Sequence, residues 1–150
     1  MSKAVEFAKD AIKKYRAKTR PYSLRLDGLG LIDSDLASIA SSIAGLDGLR
    51  RLYLGAASNR PNFIENIPDE IFEAHPQLEK LDISSNRICE VPSLLYKCSQ
   101  LTELNLSRNR LNSLPDNFCD LVNLQTVLLS GNKLTALPKK NRQPCEMPNS

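Results

Sequence analysis

Residues 101–123 read LTELNLSRNRLNSLPDNFCDLVN. The stretch before it, LEKLDISSNRICEVPSLLYKCSQ (78–100), and the one after, LQTVLLSGNKLTALP (124–138), carry the same pattern with starts 23 residues apart. Such a period is read before secondary structure, because missing it misassigns the whole fold. Apolar residues return at positions one, four, six, eleven and fourteen. They are Leu78, Leu81, Ile83, Ile88 and Val91, then Leu101, Leu104, Leu106, Leu111 and Leu114, then Leu124, Val127, Leu129, Leu134 and Leu137. Position nine is Asn86, Asn109 and Asn132, and position fifteen is Pro92, Pro115 and Pro138.

Each position has a physical task. Leu-x-Leu alternates with period two, so both leucines point inward from a short strand. The Asn turns the chain off the strand, and its amide is suited to bond backbone groups that a buried bend leaves unpaired. The Pro interrupts the ladder and fixes φ in the return segment. One coil cannot bury its apolar face alone, whereas a stack of about three or more forms a continuous core.

The motif LxxLxLSxNxLxxLP at 101–115, with variants at 78–92 and 124–138, resembles the leucine-rich repeat family. The Pro-containing 23-residue form is similar to the intracellular Ras-group and Flightless-like repeats. The resemblance implies an α/β solenoid, a right-handed superhelix of about five repeats with a parallel sheet on its concave side. Residues 49–77 restart the strand at Leu49, Leu52 and Leu54 but are longer. The extra residues fit in GAASNRPN (55–62), which makes Asn62 the position-nine asparagine, with one more near His75. Ile71 and Phe72 of the return segment are expected to face the core. Residues 22–48 admit two registers. The preferred one starts the strand at Leu24 and Leu26, 28 residues before Leu52. It leaves DSDLASIASSIAGL (33–46) as a helix with Leu36, Ile39, Ala40, Ile43 and Leu46 on one face and Asp33 or Ser34 as N-cap. This unit is similar to the longer repeats of ribonuclease-inhibitor-type proteins.

An open solenoid exposes its core at both ends, so the terminal coils need covers. Residues 3–18 space Val5, Ala8, Ile12 and Tyr15 by three or four, with Phe7 and Ala11 widening the stripe and Pro21 as a stop. The expected organisation is an N-terminal helical cap at 1–21, a repeat domain at 22–138 and a polar tail at 139–150. The tail is too short for a repeat, so Leu129, Leu134 and Leu137 are expected to be poorly covered. That end frays, meets a partner, or marks a short form or regulatory fragment of a larger repeat protein.

The chain has 150 residues, 41% hydrophobic and 25% charged, a composition that excludes wholesale disorder. No apolar run reaches the ~20 residues of a membrane-spanning helix. The first 18 residues lack the apolar stretch of a secretory signal. Net charge is +3, made of +5 in residues 1–20, −4 in 21–138 and +2 in 139–150. The repeat body is therefore acidic, and no nucleic-acid partner is expected. The basic first helix gives membrane-surface association only as an alternative. Cys89, Cys98, Cys119 and Cys145 form no C-x-x-C and have no His close by, so no metal site is expected. They are read as thiols in a reducing, cytoplasmic setting. Cys98 takes a core position and Cys145 is the exposed candidate. No hydrolase, zinc-protease or phosphate-loop motif occurs, so no catalytic residue and no cofactor is assigned. His75, before Pro76 in a return loop, is read as a surface residue.

Outward strand positions of successive coils stack about 4.8 Å apart and form columns on the concave face. Position three gives Arg51, Lys80, Glu103 and Thr126; position five gives Tyr53, Asp82, Asn105 and Leu128. Position ten gives Arg87, Arg110 and Lys133, a basic ladder at the sheet margin. Tyr53 and Leu128 stand where a polar residue is common, and such anchors carry a disproportionate share of interface energy. These residues are the candidate contacts for a protein partner. The expected function is a monomeric, non-enzymatic interaction module or scaffold, and the resemblance implies a setting such as signalling.

Overall fold

The computed structural model of the chain describes residues 2–17, 22–140 and 143–144. Five three-residue strands, β1 (Ser23–Arg25), β2 (Arg51–Tyr53), β3 (Lys80–Asp82), β4 (Glu103–Asn105) and β5 (Thr126–Leu128), form one parallel sheet in chain order. Its register aligns Leu24, Leu52, Leu81, Leu104 and Val127 as one row. The first repeat therefore takes the 28-residue register. All five residues are buried, and with Leu26, Leu54, Ile83 and Leu106 they form the spine of the core. The short strands follow from the sequence: only Leu-x-Leu has strand alternation before the Asn turns the chain away.

The return segments change from α-helical in the first two coils to 3₁₀ in the next two. The first contains α2 (Asp33–Ala44), the second α3 (Asp69–Ala74), and the next two contain 3₁₀ turns at Leu95–Lys97 and Asp116–Asp120. Leu36, Ile39, Ala40, Ile43 and Leu46 are buried, as are Ile71 and Phe72. Neither Asp33 nor Ser34 caps α2. The N-cap is Ile32, whose N–H is accepted by the Asp35 carboxylate at 3.2 Å. Asp33 instead accepts the backbone N–H of Glu65 (2.7 Å) and of Asn66 (3.1 Å) and the Asn66 amide (2.9 Å), tying the first coil to the second. Burial works against its charged form, but those three donors win and hold its pKa below the ordinary carboxylate value.

The N-terminal helix α1 (Lys3–Arg16) is capped by Ser2, whose Oγ accepts the Val5 N–H at 3.2 Å. It lays Val5, Ala8, Ile12 and Tyr15 against the first repeat and α2. Phe7 does not widen this stripe: it is 64% exposed, one position off the packed face. Pro21 lies outside the described residues. At the other end Leu129 and Leu134 are half-buried and Leu137 is exposed. Beyond Pro138, β6 (Lys139–Lys140) pairs antiparallel with β7 (Gln143–Pro144), a pairing the polar sequence did not announce.

His75 is not a surface residue. It is buried, with Nε2 2.9 Å from the carbonyl oxygen of Ile43 and Nδ1 without a hydrogen-bond partner. It sits three residues before Leu78, as Cys98 and Leu121 sit before Leu101 and Leu124, so it fills a core position. Burial lowers its pKa, only partly offset by the Ile43 carbonyl and by Asp47. Cys98 and Cys119 are buried and Cys89 is exposed, all three as thiols rather than disulfide halves. Cys145 lies outside the described residues.

Candidate functional site

The turn asparagines set the geometry on which the outer surface rests. Asn62 accepts from the Leu29 and Leu31 N–H groups and donates to the Leu26 and Leu54 carbonyls, at 2.8–3.1 Å. Asn86 accepts the Ile64 N–H and donates to Leu54 and Ile83. Asn109 accepts the Ile88 N–H and donates to Ile83 and Leu106, and Asn132 accepts that of Leu111 and donates to Leu106 and Leu129. The carbonyls of Leu54, Ile83 and Leu106 are each shared by two successive asparagines, so the bonding runs unbroken from coil to coil. Orphaned backbone groups in these buried bends cost about 1–3 kcal/mol each. The asparagines thus fix the spacing of everything displayed outside.

On the outward face the columns are in register: Arg51, Lys80, Glu103 and Thr126 in one, and Arg25, Tyr53, Asp82, Asn105 and Leu128 in the other. Tyr53, Lys80, Asp82, Glu103, Asn105, Thr126 and Leu128 line one open depression of about 150 Å³. Small-molecule sites usually run to about 300–1,000 Å³ and enclose their ligand. The trough is smaller than that and open to solvent.

Lys80, Asp82, Glu103 and Asn105 in the trough are already engaged. Lys80 pairs with Glu103 on the adjacent strand. Asn105 Nδ2 donates to Asp82 at 3.4 Å, and Asp82 Oδ1 accepts the Ser84 N–H at 2.9 Å. The Asn105 Oδ1 accepts from the Ser107 N–H and hydroxyl, so this residue, the first of an Asn-Leu-Ser triplet, is held against the sheet. The two ends of the trough are apolar. Tyr53 is half-buried, with the Arg25 guanidinium 4.6 Å from its ring centre, and Leu128 is 42% exposed. Arg25 is itself held by Asp27 at 2.9 and 3.1 Å. Its place in the position-five column follows from the pairing of Arg25 with Tyr53 in the first register.

Arg51 flanks the trough in register with Lys80 without lining it. Arg87, Arg110 and Lys133 lie apart from the trough, beyond the asparagine turns. Their N–H groups donate at 2.8 Å to the carbonyls of Ile64, Ile88 and Leu111 of the preceding coil, so these side chains form a row of their own. Phe63 is the corresponding residue one coil earlier, its N–H bonded to the Leu31 carbonyl, and the Arg87 guanidinium lies 4.8 Å from its ring. Phe63 follows the 55–62 insertion, which hides its repeat position in the sequence. That insertion folds as a small antiparallel turn between Ala57 and Arg60, with Ser58 and Asn59 in the left-handed region. It closes over Gly28, where a Cβ would stand 2.9 Å from that of Ala57.

Among the described residues no group of His, Cys, Asp and Glu has the makings of a metal site, and no helix is long and apolar enough to cross a membrane.

Two family models, both describing the leucine rich repeat, match residues 77–98 and 91–134. No curated protein matches the chain. Among solved structures, a leucine-rich-repeat protein of Leptospira interrogans is similar with a TM-score of 0.56 and 33% identity over 65% of this chain. This chain covers only 23% of that one. The ectodomain of BIR2 from Arabidopsis thaliana is similar with a TM-score of 0.53 and 26% identity, over 80% of this chain and 70% of that one. Repeats of this kind commonly mediate protein–protein interaction and are typically not enzymes. With its parallel sheet, its shared asparagine bonds and its N-terminal helix, the chain has the fold of a leucine-rich-repeat solenoid.

Proposed function

We propose that this protein is a non-enzymatic, cytoplasmic interaction module that docks a protein partner on its concave sheet, as a scaffold in signalling. The observation that supports this most is the trough between Tyr53 and Leu128. Its central Lys80 and Glu103 pair with each other, Asp82 accepts from the Asn105 amide and the Ser84 N–H, and Leu128 and the Tyr53 ring stand at its two ends. An exposed Leu128 and a half-buried Tyr53 beside hydrogen-bonded polar groups are what an interface centre needs, since the apolar groups gain from burial while the polar groups lose little. A position on the sheet is rigid, so binding orders few residues. The Cys89, Cys98 and Cys119 thiols suit a reducing compartment. Neither a catalytic group nor a cofactor enters this reading.

Affinity capture from cell extract, quantified by mass spectrometry, tests it. The wild-type protein should retain a discrete protein that a Tyr53→Ala/Leu128→Ala variant of unchanged thermal stability loses. Identical capture by the two proteins would refute the reading.

A further inference from the structure

Three cross-coil ion pairs neutralise charges on the faces of the solenoid: Arg50–Glu79, Lys80–Glu103 and Lys97–Glu73. The position-ten row is different. Arg87, Arg110 and Lys133 follow one another on successive coils, all exposed, and among the described residues no carboxylate lies within ion-pair reach of any of them. Arg108, exposed on the same turn as Arg110, adds a fourth cation without such a partner. Like charges held on neighbouring rungs repel one another and lower stability. Apart from the Arg87 contact with the Phe63 ring, no attractive partner on the fold offsets that repulsion among the described residues.

We infer that the row is a docking rail for an acidic, extended segment of the protein partner that occupies the trough. The inference rests on the concave-face reading and adds the partner's chemistry. Charge complementarity selects the occupant, since a carboxylate seated on each rung removes the repulsion between rungs. Spacing suits an extended chain. Rungs about 5 Å apart span about 10 Å, which a stretch of four or five residues at about 3.3 Å per residue covers with two or three carboxylates. Arg87 is preset for this, its guanidinium held over the Phe63 ring with its edge left to donate. A protein segment fits better than a nucleic acid. The aromatic of the row, Phe63, is covered by the Arg87 guanidinium, so the row offers bases no stacking platform.

The test uses the full chain, a fluorescein-labelled decaglutamate peptide, a 20-nucleotide oligothymidine and a library of displayed random 12-residue peptides. Decaglutamate should bind at low salt, more tightly than oligothymidine, and weaken as salt rises. An Arg87→Gln/Arg110→Gln/Lys133→Gln variant should lose about tenfold in affinity, as expected of three partly exposed ion pairs, with its melting temperature unchanged or raised. Displayed peptides that bind the wild type should be rich in Asp and Glu and should lose binding to that variant. Selected peptides that are not acidic and depend only on Tyr53 and Leu128 would overturn the rail and leave the concave-face reading standing. Peptides indifferent to both sets of substitutions would overturn both. Tighter binding of oligothymidine than of decaglutamate would overturn the rail in favour of a nucleic-acid surface.

Discussion

The Asn109 side chain donates to the carbonyl oxygen of Ile83, 26 residues earlier, at 2.9 Å. That oxygen also accepts from Asn86. The bond therefore joins two coils through one acceptor, and the same arrangement recurs at Leu54 and Leu106. Asn109→Ala leaves the Ile88 N–H and part of two carbonyls unpaired in a buried bend. It should cost about 3 kcal/mol in urea denaturation. Asn132→Ala, at a half-buried bend near the end of the stack, should cost about 1 kcal/mol, because water reaches the groups it abandons. Equal losses at the two positions would contradict the role given to burial.

The core row makes a second contrast. Leu104 is 1% exposed at the centre of the stack, and Leu104→Ala should cost about 3 kcal/mol through lost burial and the cavity left behind. Leu137 is 50% exposed, and Leu137→Ala should change stability by less than about 0.5 kcal/mol. Thermal melts of the two variants check both values.

His75 makes stability depend on pH. Burial lowers its folded pKa below the ordinary 6.5, so the unfolded chain takes up the proton first as pH falls. The stability contribution of neutral His75 is therefore full above pH 6.5 and declines as pH drops toward the lowered folded value. With Nε2 against the Ile43 carbonyl, a second proton would sit on Nδ1, which has no acceptor. His75→Leu should flatten the decline in stability that sets in as pH falls below about 6.5. An unchanged slope in the variant would show that another group titrates there.

Thiol reactivity should separate the cysteines. Cys98 is buried, its Sγ 3.5 Å from the His75 carbonyl, and burial pushes its pKa up to about 12. Cys89 is exposed. Iodoacetamide labelling at pH 8 followed by peptide mapping should modify Cys89 in the native protein and Cys98 only as the fold opens. Early modification of Cys98 would contradict its placement.

Much of this architecture is legible in the spacing of a few residues. Asn86, Asn109 and Asn132 with their leucines establish the period, and Asn62 follows once the insertion is counted. Residues judged by type rather than position are the ones that mislead. His75 before a Pro looks like a loop residue until it is aligned with Cys98 and Leu121. Asp33 looks like an N-cap, yet its carboxylate serves Glu65 and Asn66 of the next coil, a tertiary demand invisible in local sequence. The trough combines both cases. Tyr53 and Leu128 stand out as apolar residues at outward positions, whereas Arg25 and Phe63 emerge only when the strand register and the course of the insertion are known. The β6–β7 pairing rests on backbone hydrogen bonds, and Lys139–Pro144 carries no apolar alternation to signal it.

The concave sheet as docking face is tested most directly by site-specific photo-crosslinking. A benzophenone amino acid is placed singly at Tyr53, Leu128, Tyr96 and Val122 and irradiated in cell extract. Tyr96 and Val122 are exposed on the return side, 42% and 75% respectively. Discrete adducts from positions 53 and 128, with none from 96 and 122, are the predicted result. Adducts formed only from positions 96 and 122 would contradict it.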